Sequence, residues 1–163
     1  MKEIQAPQEI NIDTNKRYLF LAGSIEMGVA ENWQNKIVRL LSGTDWILLN
    51  PRRSDWDSSW VQSIDNPQFR EQVEWELEAL TMADKIILYF DINTKSPISL
   101  LELGLFAKSD KMIVVCPEGF WRKGNVDIVC EHYSIKQVGT IDEAIRLLKV
   151  EDFGKDLWNS QKV

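Results

Sequence analysis

The chain has 163 residues, 44% hydrophobic and 27% charged, and its 19 basic against 25 acidic side chains leave a net charge of −6. Such composition suits one globular domain with a single core, and the negative balance argues against a surface that grips a phosphate backbone by counterion release, so no nucleic acid polymer is expected as a partner. Cys116 and Cys130 form no CxxC pair and His132 is the one histidine, which leaves no zinc cluster and no Ser-His-Asp triad. The segment Met1–Pro7 lacks a signal-peptide core, and no apolar run approaches the ~20 residues that span a bilayer. A cytoplasmic protein with reduced thiols and no membrane partner is the expectation.

Residues 1–15 are polar and aperiodic, contain Pro7, and read as an N-terminal arm. A domain is expected over residues 16–149. Its first buried strand is Tyr18–Ala22, closed by Gly23-Ser24; a helix runs from about Ala30 to Ser42, with Trp33, Ile37, Leu40 and Leu41 at helical spacing; and a second strand, Trp46–Leu49, ends at Asn50-Pro51. The irregular stretch Arg52–Gln68, with Trp56 and Trp60, is the long connection, of the kind that forms binding loops. A helix over Pro67–Ala83, a strand over Lys85–Phe90, a helix from Pro97 to about Lys108 and a strand over Met112–Cys116 follow. A fifth strand near Ser134–Val138 and a helix over Ile141–Lys149 complete the pattern, and residues 150–163 read as a polar tail carrying Trp158. Apolar strands alternating with amphipathic helices imply an α/β fold: a doubly wound, five-stranded parallel sheet in a flavodoxin-like or Rossmann-like three-layer sandwich.

In such a sheet, ligands bind beyond the carboxyl ends of the strands. Those ends are Ala22-Gly23-Ser24, Asn50-Pro51-Arg52-Arg53, Asp91-Ile92-Asn93-Thr94 and Pro117-Glu118-Gly119. Gly23 lets a ligand approach the backbone, and the helix N-terminus after it favours oxygen atoms or anions, although a purely structural turn reads equally well. Neither GxGxxG nor the P-loop pattern occurs, which removes the usual signatures of dinucleotide and NTP binding. Asp91 could accept a phosphoryl group in a receiver domain, but the acidic pair such a domain keeps after its first strand is missing.

On the Pro67–Ala83 helix, 100° spacing puts Phe69, Gln72, Val73, Glu76, Leu80 and Ala83 on one face and Glu71, Glu74 and Glu78 on the other. Glu76 is therefore expected to face the core beside a polar cavity; the alternative is an edge position that lets it reach water. On the next helix, Ser96 and Pro97 read as N-cap and N1 with Ser99 at N3, and Ile98, Glu102 and Leu105 are expected to share a face. Glu102 is the only charged residue between Lys95 and Lys108. A carboxylate among apolar residues costs several kcal/mol unless compensated, so packing gives no reason for it; the bland alternative is a Glu neutralised by a cation or capping a backbone group. Two inward carboxyls on helices flanking one strand suit cleavage at an acetal or hemiaminal carbon. One acts ionised as nucleophile and the other protonated as acid, with burial and repulsion separating their pKa values.

Six ordered segments, LAGSI at 21–25, NPRR at 50–53, FxxQxxWE at 69–76, AD at 83–84, SPISLLELG at 96–104 and GNVD at 124–127, resemble the nucleoside 2-deoxyribosyltransferase family over about residues 17–149. The resemblance implies that Glu102 attacks the anomeric carbon and that Glu76, where many relatives keep Asp, handles the nucleobase and its proton. Ser96 stands where transferases often keep an Asp that contacts sugar or phosphate. Asn125 resembles an asparagine lent to the neighbouring subunit's sugar site, which implies a homo-oligomer with shared active sites. Gly23, Ser24, Asn50, Arg52, Phe69, Gln72 and Ser99 complete the substrate-binding set, with Trp56 and Tyr18 as further aromatic candidates that read at least as well as core. Arg52 and Arg53 could hold a base carbonyl or a 5′-phosphate, or simply solvate their loop. The implied activity is transfer of a 2-deoxyribosyl group between nucleobases, purines first, with deoxynucleosides and free bases as partners and no cofactor. A nucleoside or nucleotide N-glycosidase is the runner-up, marked by a tight phosphate site at Ser24, Arg52 or Ser96. A non-catalytic nucleotide-sensing module would have no use for the carboxylate pair.

Overall fold

Strands buried on both faces need helices on both sides of their sheet, and that is what the chain builds. The structure, a computed structural model, describes residues 1–25, 30–53, 57 and 59–160. Six strands, β1 (Lys2–Gln5), β2 (Tyr18–Gly23), β3 (Ile47–Asn50), β4 (Lys85–Tyr89), β5 (Met112–Val115) and β6 (Lys136–Val138), form one sheet in the order β1-β3-β2-β4-β5-β6, every pair parallel. Helices α1 (Trp33–Leu40) and α5 (Ile141–Ser160) cover one face, where Trp33, Ile37, Ala144, Ile145 and Leu148 pack on Leu19, Leu21, Leu48, Ile87 and Ile113. Helices α2 (Pro67–Met82), α3 (Pro97–Phe106) and α4 (Lys123–His132) lie on the other, where Trp75, Leu80, Leu103, Val126 and Cys130 pack on Phe20, Leu49, Ile86, Leu88 and Val114. The chain runs outward from β2 to β3 and returns to β4 on the other side of β2, so the switch point lies between the ends of β2 and β4. No helix among the described residues is long and apolar enough to cross a membrane.

Among the described residues the sheet has six strands where five were expected. The extra one is β1, inside the segment read as an arm: it pairs with β3 from Lys2↔Ile47 to Gln5↔Asn50, and only Ile4 of its four residues is buried. One inward apolar side chain gives no periodicity to recognise. Helix α4 was also unforeseen, and the Gly124–Asp127 segment lies in its first turns. Helix α5 runs to Ser160 instead of ending at Lys149.

The helix faces differ from the reading as well. On α2 the buried positions are Gln72, Trp75, Ala79 and Leu80, while Phe69, Val73 and Glu76 sit half-buried at the edge. Trp75 sets that rotation: its ring meets Phe20 at 6.4 Å between centroids and its Nε1 donates to the Gln8 carbonyl at 2.8 Å. On α3 the expected shared face breaks up, because Glu102 turns inward with Ser99 and Leu103 whereas Ile98, Leu101 and Leu105 point to solvent. An almost wholly apolar helix offers no polar face to orient it, so burial there is decided by the neighbours.

Candidate active site

Helix α2 starts where Asn66 accepts hydrogen bonds from the Gln68 and Phe69 amides, with Pro67 in the first turn. That start places Gln72 and Glu76 one and two turns into the helix, next to the chain leaving β3. Gln72 Nε2 donates to the Pro51 carbonyl at 2.9 Å and to Glu76 Oε1 at 2.7 Å, while Gln72 Oε1 is buried without a partner among the described residues. Helix α3 brings Glu102 in from the other side, 7% exposed and with no hydrogen bond among the described residues. The two carboxyls sense each other. Burial, with repulsion from Glu76 added, pushes Glu102 up to about 8. Burial also raises Glu76 to about 7, against the pull of the Gln72 amide, which favours the ionised form.

In the unliganded chain both carboxyls are held above the usual carboxylate range, so the pair keeps a proton near neutral pH. For one carboxyl to act as a nucleophile the shared proton must reside on the other, a distribution set within a coupled pair rather than by titration of either group alone.

The turn after β2 is built differently from the expectation. Gly23 has φ +136, and a Cβ there would lie 2.2 Å from the Tyr89 carbonyl oxygen, so the close approach that requires glycine is to β4, not to a ligand. Ser24 continues the seam: its amide donates to Tyr89 O at 2.9 Å, its Oγ accepts from the Asp91 amide at 2.9 Å, and its carbonyl accepts from Trp33 Nε1 at 2.9 Å. Ser96 stands at the N-cap of α3 with φ +47, but its hydroxyl caps nothing; it contacts Ser24 Oγ and lies 2.7 Å from Thr94 Oγ1. Thr94, absent from the sequence-based set, completes a buried trio of hydroxyls that fixes the start of α3. Its signal was the Asp91-Ile92-Asn93-Thr94 turn, in which Asp91 Oδ1 accepts from the Asn93 amide at 2.8 Å and Oδ2 from the Glu31 amide at 3.2 Å.

The remaining candidates are spread around this centre. Asn50 is buried, donating to Glu3 at 2.7 Å and accepting from the Arg52 amide at 3.0 Å, so it ties β1 to the end of β3. The Arg52 guanidinium reaches toward α1, to the carbonyls of Ala30 and Glu31 and to Gln34 Oε1 at 3.3–3.4 Å. Arg53 pairs with Glu71 at 3.1 Å and lies 5.1 Å over the Trp60 ring. Ser99 is buried one turn before Glu102, and Phe69 is half-buried at the mouth of α2. Tyr18 belongs to the opposite end of the sheet: it opens β2, and its hydroxyl accepts from the Asp13 amide at 2.8 Å, which makes it a core residue. Trp56 lies outside the described residues. Asn125 is exposed on α4.

A buried Glu102 and a half-buried Glu76 that repels it, with an amide on one partner and an apolar helix around the other, are groups able to break and remake a bond at an acetal-like carbon. None of the curated proteins compared with the chain matches it. A family match spans residues 16–120, more than half of the chain and including both Glu76 and Glu102, though it stops before α4. The chain belongs to the family described as nucleoside 2-deoxyribosyltransferase like, whose fold is flavodoxin-like.

Proposed function

We propose that the protein transfers a 2-deoxyribosyl group between nucleobases, purines foremost, through a covalent ester on Glu102. The observation that carries this reading is the Glu76–Glu102 pair, two acids that cannot both ionise cheaply and so hold a proton between them near neutral pH. A Glu102 oxygen attacks C1′ as the C1′–N bond breaks. The bonding pair leaves with the base, and a ring nitrogen of the base takes the proton of Glu76. An incoming base then attacks C1′ from the vacated side, returns its proton to Glu76 and displaces Glu102, so the two inversions give net retention.

Nucleosides rather than 5′-phosphates fit the groups at hand. Ser24, Thr94 and Ser96 are bonded to one another, and Arg52 is held by backbone carbonyls, so the groups that would have marked a phosphate-gripping N-glycosidase are engaged within the chain. In this reading Asn125, exposed on α4, reaches the sugar site of a second copy. Incubation with one deoxynucleoside and a different free base, resolved chromatographically, tests the proposal. The exchanged nucleoside is expected; release of free sugar with no exchange would make the protein a hydrolase, and no cleavage at all would return it to the binding modules.

A further inference from the structure

A glutamine amide has two ends, and in Gln72 they are treated differently. The NH2 end is satisfied twice, by the Pro51 carbonyl and by Glu76 Oε1, which fixes the orientation of the amide because the reverse would set oxygen against oxygen. The carbonyl end, in a residue 4% exposed, has nothing to accept from among the described residues. A buried acceptor without a donor is costly to leave in a folded protein, so such a group is a pointer to something that binds. Its neighbour through the amide is the Glu76 carboxyl, which on the reading above donates a proton to the departing base.

We infer that Gln72 Oε1 and Glu76 act together as an acceptor and a donor that read the edge of the nucleobase, so that the site favours bases carrying an amino group beside a basic ring nitrogen. Adenine presents that pattern, with N7 accepting and the N6 amino group donating, and cytosine presents it with N3 and N4. Hypoxanthine offers an oxygen where adenine has its amino group, and uracil reverses the order. With the oxo bases a lone pair would face Oε1, and the buried acceptor would stay unpaired, the situation in which polar sites discriminate most strongly. Oε1 is closed to water in the unliganded chain, so a base that docks beside Glu76 must displace the side chains that cover it, and the donor it then offers is the one Oε1 lacks. Preference by amino against oxo substitution cuts across the distinction between purine and pyrimidine. It rests on the transferase reading only for the placement of the base beside Glu76.

Binding separates the two ideas. Calorimetric titration of the Glu102→Ala protein with adenine and with hypoxanthine, and with cytosine and uracil, should show the amino base bound about tenfold or more tightly within each pair. Adding Gln72→Met, which keeps length and removes the amide, should bring each ratio close to one by weakening the amino base. In the wild type, exchange rates with adenine and hypoxanthine as acceptors should follow the same order. Equal affinities within both pairs, an oxo base preferred, or a preference that survives Gln72→Met would overturn the inference whether or not transfer occurs. Failure of all base exchange alongside a Gln72-dependent amino preference would instead overturn the transferase reading and leave this one standing.

Discussion

Glu102 is a side chain the fold accommodates at a cost. Its carboxyl ionises at about 8 in the folded chain against 4.5 for an ordinary glutamate. A group whose folded pKa is raised weakens the fold as it is forced to ionise, so its burden is absent below about pH 4.5 and complete above about pH 8. Glu102→Gln should therefore leave stability near the wild-type value at about pH 4 and raise it by about 2–4 kcal/mol at about pH 9, after discounting for the shared proton. Denaturant titration at the two pH values checks this, and a variant equally stable or less stable at both would mean that an unseen partner compensates the carboxylate. The same variant should lose turnover by several orders of magnitude. In the wild type, kcat/KM should follow a bell, rising with ionisation of the first carboxyl near about 7 and falling with the second near about 8. Glu76→Gln should abolish the alkaline limb assigned to the acid and, by removing the repulsion, lower the pKa of Glu102. Glu102 was legible in the sequence because its isolation is a property of spacing. The pairing of Gln72 with Glu76 was not, since that bond exists only once α2 is rotated by Trp75.

At the scale of elements, the site rests on the seam between β2 and β4. Gly23→Ala would drive a methyl group to 2.2 Å from the Tyr89 oxygen at a φ that alanine resists, which should cost about 2–5 kcal/mol. Urea unfolding measures this, and a loss below about 1 kcal/mol would show that β4 can yield. Strand and helix positions were largely readable from apolar runs and turn residues; α2, for example, begins at the Asn66-Pro67 pair that announces it. What escaped were elements with weak or absent periodicity: β1, whose single inward residue is Ile4; α4; and the facing of α3, where Ile98 and Leu105 proved exposed although they are as apolar as the buried Leu103. Short-range patterns orient a helix only when one side of it is polar.

The outward face of α3 raises a question at the scale of the whole molecule. Ile98, Leu101 and Leu105 are 57–59% exposed, and on the neighbouring α4 side Trp121 and Ile128 are 50% and 67% exposed, with Trp121 Nε1 donating to the Lys95 carbonyl just before α3. Exposed apolar side chains gathered on one helix in this way mark an interaction surface. The three exposed α3 side chains carry no charge, so this strip could meet its own copy across a two-fold axis without like-charge repulsion, despite the net charge of −6. Asn125 is exposed between Trp121 and Ile128, where a docked copy would bring it to a foreign site. Mixing two inactive variants, Glu102→Ala and Asn125→Ala, tests that arrangement. In a mixed dimer one site combines an intact Glu102 with the partner's intact Asn125 while the other has neither, so equal amounts exchanging at random should regain about a quarter of wild-type activity. Exchange is verified by mass spectrometry of differently tagged chains. Mixtures that exchange and stay inactive, or a chain that sediments as a monomer at the assay concentration, would confine the active site to one copy and leave the apolar face of α3 to some other partner.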